Sequence, residues 1–240
     1  MPKLVSSGKC RLCGQLVGKA QLSTHLKKCL KRSVAAPAPG GKTARCFLVQ
    51  AVATYNPAYW LYLELPATAR FNQLDGVLRD IWLECCGHMS AFSFPVKRVR
   101  PKAPLDFAQL LKTSGAGGFP DEPDDEQLMG ERMGKRLLPG VKFEYEYDFG
   151  STTNLSFRVL AEYAGSQSKP KIRLLARNEP PDIRCDQCGK PATQVCVECQ
   201  GVPMCDACAA KHECGEEMLL PILNSPRTGV CGYCGPSIEP

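Results

Sequence analysis

The sequence predicts an α+β fold, in which a small central sheet, mixed or antiparallel, packs against one or two helices and is flanked by two small cysteine-rich modules. Three observations lead to this prediction. The middle of the chain contains runs that alternate between apolar and polar residues, and one segment whose apolar residues recur every three or four positions. Twelve of the fifteen cysteines lie outside that middle part. At 240 residues, the chain can form one core of about 100–150 residues plus small satellites.

Two changes in composition divide the chain. Residues 33–45 combine Pro, Gly, Ala and Ser without apolar periodicity, which is typical of a flexible linker. After residue 177 an apolar strand gives way to a cysteine every few positions. The predicted domains are a finger over 1–32, a linker over 33–45, an α+β domain over 46–177 and a cysteine-rich module over 178–240.

The first half of the α+β domain reads as two strands followed by a helix. Cys46–Thr54 and the aromatic-rich Tyr59–Leu65 have the composition of strands. Phe71–Cys85 has the spacing of a helix with one buried face. Leu105–Leu111 suggests a second short helix, and the Gly-rich and acidic stretch over 114–126 reads as an exposed loop.

The second half contains the clearest strand signal, over residues 142–150. Its alternation places Phe143, Tyr145, Tyr147 and Phe149 on one face and Glu144, Glu146 and Asp148 on the other. Turn-forming residues over 150–154 follow, and Leu155–Tyr163 alternates again, so we expect a hairpin. We expect a last strand, Ile172–Ala176, to join this hairpin.

The N-terminal finger has the ligand spacing of a zinc site. Cys10 and Cys13 form a CxxC knuckle, and after eleven intervening residues His25 and Cys29 form an HxxxC pair. If residues 20–33 are helical, His25 and Cys29 lie one turn apart and point the same way. Four such ligands make a closed, structural zinc site, and in so short a module the metal supplies most of the folding free energy.

The C-terminal module has ligands for two further zinc ions. They are Cys185, Cys188, Cys196, Cys199, Cys205, Cys208, His212 and Cys214. This run resembles B-box-type cross-brace fingers, in which alternate pairs share a metal. The resemblance implies that Cys185, Cys188, Cys205 and Cys208 bind one zinc and that Cys196, Cys199, His212 and Cys214 bind the other. The sequence departs from that pattern in the single residue between His212 and Cys214, and in an extra pair, Cys231 and Cys234, that could displace either ligand. We therefore expect about three zinc ions per chain.

Several further features of the sequence exclude some classes of protein and of site. Cys46, Cys85 and Cys86 are expected to be buried or inert thiols. The opening residues lack the apolar segment of a signal peptide, and no apolar run approaches the roughly 18 residues of a membrane span. We expect a cytoplasmic protein with no membrane partner, and CxxC pairs that bind metal rather than form disulfides. Common nucleotide-binding and hydrolase motifs are absent from the sequence, and we assign no catalytic or cofactor-binding residue beyond the metal ligands.

The charge of the chain is unevenly distributed. Residues 1–45 carry ten Lys and Arg and no acidic residue, within a chain whose net charge is +6. The basic side chains of the predicted finger helix are Lys19, Lys27, Lys28, Lys31 and Arg32. Such a surface favours phosphate backbones, so nucleic acid is a candidate partner of the finger, and protein is the alternative because such fingers bind both. The C-terminal module carries charges of both signs and few aromatics, which favours a protein partner.

Two stretches of the central domain carry a family resemblance. They are LDGVLRDIWLECCGHMSAF, from Leu74 to Phe92, and FEYEYDFGSTTNLSFRVLAEY, from Phe143 to Tyr163. They resemble the plasmid pRiA4b ORF-3-like domain family, some of whose members are labelled transposon passenger or TnpR-like proteins. The resemblance implies an α+β domain of largely unknown function, associated with plasmids or transposons. Where many members have an acidic residue, a tryptophan and a histidine after the turn, this chain has Ser151, Thr153 and Leu155.

Three hypotheses of function follow. The first is a non-enzymatic zinc-binding adaptor that contacts nucleic acid or protein through its zinc modules. The second is an enzyme that uses His88 and Asp148, with Cys85 or Cys86, although we expect His88 to be satisfied by a backbone carbonyl and Asp148 to cap a turn. The third is a redox or metal-responsive sensor that loses zinc reversibly, suggested by the surplus pair Cys231 and Cys234.

Overall fold

The structure is a computed structural model, which describes residues 6–34, 43–95, 125–166 and 171–236. The strands are β1 (Ser7–Cys10), β2 (Leu16–Gly18), β3 (Thr43–Ala53), β4 (Trp60–Pro66), β5 (Ser90–Ser93), β6 (Lys142–Tyr147), β7 (Thr153–Ser166), β8 (Arg173–Asn178), β9 (Gln194–Cys196), β10 (Val202–Met204) and β11 (Leu219–Pro221). The helices are α1 (Lys19–Val34), α2 (Phe71–Leu78), α3 (Asp125–Gly130) and α4 (Asp206–Ala209). A π-helical turn, Arg79–Leu83, continues α2, and two 3₁₀ turns cover Met133–Lys135 and Glu216–Met218.

The predicted α+β class is confirmed, but the main sheet is larger than the small sheet expected. It has eight strands in the order β2-β1-β8-β4-β3-β7-β6-β5, and each neighbouring pair is antiparallel. A separate three-stranded sheet has the order β10-β9-β11. The large sheet gains two strands because the hairpin of the finger pairs with β8, whose edge would otherwise be open.

The two faces of the large sheet are covered by different helices. Alternate residues of β4 point to opposite sides, so that Leu61 and Leu63 join one buried cluster and Trp60 and Tyr62 join another. The first cluster lies under α2 and contains the aromatic face of β6. The second lies under α1, whose Leu22, Leu26 and Leu30 are all buried.

The predicted central helix is present but ends before its predicted limit at Cys85. Phe71, Leu74 and Leu78 bury the expected face of α2, and the π-helical turn extends it to Leu83. Glu84 has extended backbone angles, so Cys85 lies beyond the helix. The predicted helix Leu105–Leu111 lies outside the described residues, as does the predicted loop up to residue 124. In the described part of the chain, no helix is both long and apolar enough to cross a membrane.

The predicted hairpin of β6 and β7 is present, with one error at its turn. β6 alternates as expected, but Asp148 has a φ of +64°, in the left-handed region, which interrupts the alternation. Asp148 is therefore buried, and Phe149 is 51% exposed, the reverse of the predicted faces.

The last strand of the domain was also predicted to lie beside this hairpin, and that was wrong. β8 pairs with β4 and β1 instead. The physical reason is that both edges of β7 are already occupied by β3 and β6, which leaves the free edge of β4 as the place for β8.

Candidate metal centres

The structure brings cysteine and histidine side chains together in four groups of four. In each group the candidate ligand atoms all lie within 4.8 Å of one another. The finger group is Cys10, Cys13, His25 and Cys29; the first C-terminal group is Cys185, Cys188, Cys205 and Cys208; the second C-terminal group is Cys196, Cys199, His212 and Cys214; and the bridging group is Cys85, Cys86, His88 and Cys231. These groups contain all three histidines and thirteen of the fifteen cysteines of the chain, which argues against chance assembly.

The finger group is built by a hairpin turn and a helix. Between Cys10 and Gln15 the chain turns tightly, with Gly14 at a φ of +77°, so that both knuckle thiols face α1. The Nε2 atom of His25 lies 3.3 Å from the Sγ atom of Cys13 and 3.4 Å from that of Cys29. The one-turn spacing of His25 and Cys29 on α1 thus places both ligands over the knuckle, as expected from a helix there.

The eight predicted ligands of the C-terminal module separate into the two groups that the B-box resemblance implies. The Sγ atoms of Cys188 and Cys205 are 3.6 Å apart in the first group. In the second group, the Sγ atom of Cys199 lies 3.5 Å from the Nε2 atom of His212 and 3.6 Å from the Sγ atom of Cys214. The single residue between His212 and Cys214 therefore allows both side chains to reach one centre.

Hydrogen bonding within the first C-terminal group shifts the pKa values of its thiols in opposite directions. A hydrogen bond from the backbone of Cys205 is the main cause that lowers the pKa of the Cys185 thiol to about 6. Its neighbour Cys208 shows the opposite effect, because its hydrogen bond to Cys185 raises its pKa to about 12. One thiol of the group thus ionises easily while another retains its proton. A bound dication removes that competition, since it stabilises every thiolate at once.

The bridging group was not predicted. Cys85, Cys86 and His88 follow the π-helical turn, and Cys231 comes from the C-terminal segment. The Sγ atom of Cys86 lies 3.8 Å from that of Cys85 and 3.6 Å from that of Cys231. The Nε2 atom of His88 lies 3.0 Å from the Sγ atom of Cys86 and 3.1 Å from that of Cys231. Cys86 is exposed and Cys85 is partly exposed, so the expectation that they are buried was wrong.

His88 and Asp148 also differ from what their sequence context suggested. Instead of bonding to a backbone carbonyl, His88 directs Nδ1 toward the carboxylate of Asp148, at 3.4 Å from Oδ1. Asp148 does accept a hydrogen bond from the backbone N–H of Gly150, as a turn cap would, and it also pairs with the buried guanidinium of Arg227. That hydrogen bond from Arg227 is the main cause that lowers the pKa of Asp148 to about 2. Asp148 therefore remains an anion beside the imidazole.

One feature explains why the bridging group could not be predicted from the sequence. Its fourth ligand, Cys231, is separated from the other three by more than 140 residues, and only the folded chain brings them together. The usable signal is the tetrapeptide from Cys85 to His88, which holds two thiols and an imidazole in four residues. The two cysteines outside the groups are Cys46, which is fully buried, and Cys234, which is exposed.

The donor atoms and their spacing suit zinc. A tetrahedron with Zn–S bonds of about 2.3 Å has sulfur–sulfur edges of about 3.8 Å. The four sulfur–sulfur distances given above for the bridging and C-terminal groups, 3.6–3.8 Å, are close to that edge. Thiolate and imidazole are also the ligands of structural zinc sites, whereas magnesium and calcium prefer oxygen. All four groups could therefore hold a metal ion, and their composition suggests zinc.

The basic surface predicted for the finger helix is present with one exception. Lys27, Lys28, Lys31 and Arg32 are exposed on α1. Lys19 instead donates a hydrogen bond of 2.6 Å to the backbone carbonyl of Pro57, and burial lowers its pKa. Lys19 therefore anchors the start of α1 to the central domain, and the exposed basic face, as we use the term below, comprises the other four residues.

The fold and these groups define the chain as an α+β protein with Cys/His clusters able to hold metal ions. No protein-family model matches the chain, and no curated protein matches it. Among solved structures, the chain is similar to a protein of unknown function, MM3350 from Methanosarcina mazei Go1. The two share 15% sequence identity over 56% of this chain and 70% of the other, with a TM-score of 0.39. Function must accordingly be argued from the residues of this chain.

Proposed function

We propose that this chain is a zinc-binding, non-enzymatic adaptor that binds nucleic acid through the exposed basic face of its N-terminal finger. The observation that carries the zinc part of this proposal is the assembly of sixteen Cys and His side chains into four compact quartets. A quartet of thiolates and imidazoles leaves no open position for a reactive water, so such sites stabilise structure rather than catalyse reactions.

The nucleic-acid part of the proposal depends on the charge of α1. Its exposed basic face carries four cations within two helical turns, and no acidic residue occurs in residues 1–45 to neutralise them. Cations arranged in this way release counterions when they bind phosphates, and that release supplies most of non-specific affinity. The C-terminal module, with charges of both signs, is proposed to contact a protein partner.

The geometry argues against the enzymatic alternative. His88 and Asp148 do lie close enough to act together, at 3.4 Å. The other imidazole nitrogen, however, faces the thiols of Cys86 and Cys231, and the carboxylate is engaged by Arg227. Both groups are thus committed to a metal site and its support, which favours metal binding over proton transfer to a substrate.

The test begins with zinc stoichiometry, measured by elemental analysis and native mass spectrometry on protein purified without chelator. The same sample is then titrated with duplex and single-stranded DNA across a range of salt concentrations. We expect affinity to fall as salt rises. In the variant K27Q/K28Q/K31Q, the magnitude of the negative slope of log K against log salt should decrease by about 0.9 for each duplex phosphate that the variant no longer neutralises.

A matched control distinguishes the effect of the exposed basic face on binding from the effect of total charge. The variant K135Q/K142Q/K190Q removes three exposed lysines elsewhere and changes the total charge by the same amount. It should retain the wild-type slope. An equal decrease of the slope in the two variants, or salt-independent binding, would contradict a role for the finger helix, and fewer than two zinc ions per chain would contradict the metal assignment.

A further inference from the structure

We infer that the bridging group is an exchangeable zinc site, which takes up and releases its ion while the surrounding chain stays folded. The inference rests on the proposed zinc binding and adds to it a distinction among the four sites. It follows from three observations: the exposure of the ligands, the hydrogen bonds and buried side chains that hold the ligand-bearing segments, and the lack of such support in the C-terminal groups.

The bridging group is the most accessible of the four. Each of the other groups has at least one buried ligand, whereas in this group Cys86 and Cys231 are exposed and Cys85 and His88 are partly exposed. A competing thiol or chelator exchanges a metal by displacing ligands one at a time, so it needs access to them. Exposed ligands give that access without prior unfolding.

On the central-domain side, the ligands are held by bonds that need no metal. The guanidinium of Arg79 donates to the carboxylates of Asp75 and Glu84 at 2.8 and 3.0 Å, and to the backbone carbonyl of His88 at 2.7 Å. Glu84 in turn accepts a hydrogen bond of 2.6 Å from the backbone N–H of Gly87. The loop that carries three of the ligands is therefore tied to α2 by charge-assisted hydrogen bonds.

On the C-terminal side, Cys231 belongs to a segment that is anchored independently. The hydroxyl of Ser225 donates to the backbone carbonyl of Trp82 at 2.7 Å, and the indole N–H of Trp82 donates to the carbonyl of Asn224 at 3.1 Å. The Arg227 side chain is fully buried against the domain, and so is Tyr233, two residues beyond Cys231. The segment on both sides of Cys231 is thus fixed before any ion binds.

Asp148 and Arg227 also orient the histidine ligand. Asp148 faces Nδ1 of His88, which leaves Nε2 directed at the thiols, and Arg227 holds Asp148 in place. A carboxylate behind a metal-binding histidine fixes its tautomer and its ring orientation. Asp148 and Arg227 are therefore positioning residues for this site.

The C-terminal module offers the contrast. Its buried cluster consists of five residues, of which Cys185, Cys196 and Cys205 are themselves candidate ligands. Its strands are three residues long. With so little apolar core, residues 185–221 of the module depend on their metals for folding, unlike the segment around Cys231, and release of an ion there requires this part of the module to open. The bridging site lies beside the core of the large sheet, which contains none of its ligands. Release of its ion therefore does not require the chain to unfold.

The first experiment titrates the zinc-loaded full chain with 4-(2-pyridylazo)resorcinol and counts bound zinc by native mass spectrometry, with near-ultraviolet circular dichroism recorded in parallel. We expect four zinc ions at the start. One ion should be released at lower chelator concentration than the rest, with the aromatic dichroism unchanged at that step. Release of the first ion together with a collapse of the aromatic signal would overturn the inference.

Variants assign the labile ion. Cys231→Ser should hold three zinc ions and should not show the early step, the release of one ion at low chelator concentration. Cys86→Ser, at an exposed position, should do the same. Cys234→Ser is the matched control, because Cys234 is an exposed cysteine three positions from Cys231 and outside the group. It should keep all four ions and the early step. An early step that persists in both Cys231→Ser and Cys86→Ser would overturn the inference.

The outcomes also separate this inference from the proposed function. A wild-type chain with three zinc ions, all unaffected by Cys231→Ser, would overturn the exchangeable site and leave the adaptor proposal standing. A chain with fewer than two ions would overturn both.

Discussion

At the scale of single residues, Arg227 is the most consequential side chain that the sequence did not single out. It is fully buried, pairs with Asp148, and donates hydrogen bonds of 2.7 Å to the carbonyl of Ser151 and 3.1 Å to the hydroxyl of Thr153. It also lies 3.6 Å from the Sγ atom of Cys85. A buried cation needs such partners, because desolvation of an unpaired charge costs several kcal/mol.

Replacement of this arginine tests its importance for the whole domain. Arg227→Met keeps the apolar part of the side chain but leaves Asp148 without its cation, so we expect the free energy of unfolding to fall by about 3 kcal/mol. Urea unfolding of the zinc-loaded protein measures the change. Arg158→Met, at an exposed position on β7, is the control and should change stability by less than about 0.5 kcal/mol. Similar effects in both variants would show that the buried pair contributes nothing particular.

At the scale of elements, the junction of β1 with β8 joins the finger to the central sheet. The two strands pair from Gly8 opposite Asn178 to Cys10 opposite Ala176. Gly8 is required by close approach, since a Cβ atom there would lie 2.2 Å from the carbonyl oxygen of Arg177 and 2.4 Å from the indole of Trp60. The finger therefore docks through a glycine that no ligand pattern indicates.

Because the backbone at Gly8 lies so close to its neighbours, the addition of a single methyl group there should destabilise the protein. Gly8→Ala should separate β1 from β8 and lower the free energy of unfolding by about 1–3 kcal/mol. Hydrogen exchange should show faster exchange at the amides of Arg11 and Glu179, which bond across this junction. Gly76→Ala is the control, because nothing lies within 4 Å of its Cβ position on α2; it should stabilise the protein by about 0.5–1 kcal/mol. Unchanged exchange in Gly8→Ala would contradict the docked finger.

The elements themselves were largely predictable, because hydrophobic periodicity is a local property. The positions of α2, β6 and β7 follow from it, and those of β3 and β4 follow from local composition, with errors of a few residues. Pairing was less predictable. The place of β8 depends on which strand edges remain free, and the burial of Asp148 depends on one residue with positive φ and on an arginine 79 residues away.

At the scale of the whole molecule, metal dependence is expected to differ between regions. The core of the large sheet contains 26 buried residues, mostly aliphatic and aromatic and none of them a candidate ligand. The finger group and the two C-terminal groups lie in the finger and the C-terminal module, which have little apolar core of their own. We therefore expect a bound metal to stabilise these two regions more than the large sheet.

Complete metal removal tests this division. With excess chelator and a reductant, we expect amides of β9, β10 and the finger hairpin to lose protection from hydrogen exchange, while those of β3, β4 and β7 keep it. Mass-spectrometric hydrogen exchange on peptides of the full chain measures both regions in one sample, and readdition of zinc controls for irreversible damage. Uniform loss of protection over the large sheet would show that the core also depends on metal.

By itself, the sequence determined the α+β class, most of the strands, the central helix, the finger quartet and the eight C-terminal ligands, because each of these depends on residues that are close along the chain. The division of those eight ligands into two quartets was implied by the B-box resemblance. CxxC knuckles and helical i, i+4 pairs place their ligands through local geometry alone. Only the tertiary structure decided the docking of the finger on β8, the place of Arg227, and the bridging group. That group forms because the packing of residues 224–233 against Trp82 brings Cys231 to a loop that lies more than 140 residues earlier, and no local pattern indicates such a long-range approach.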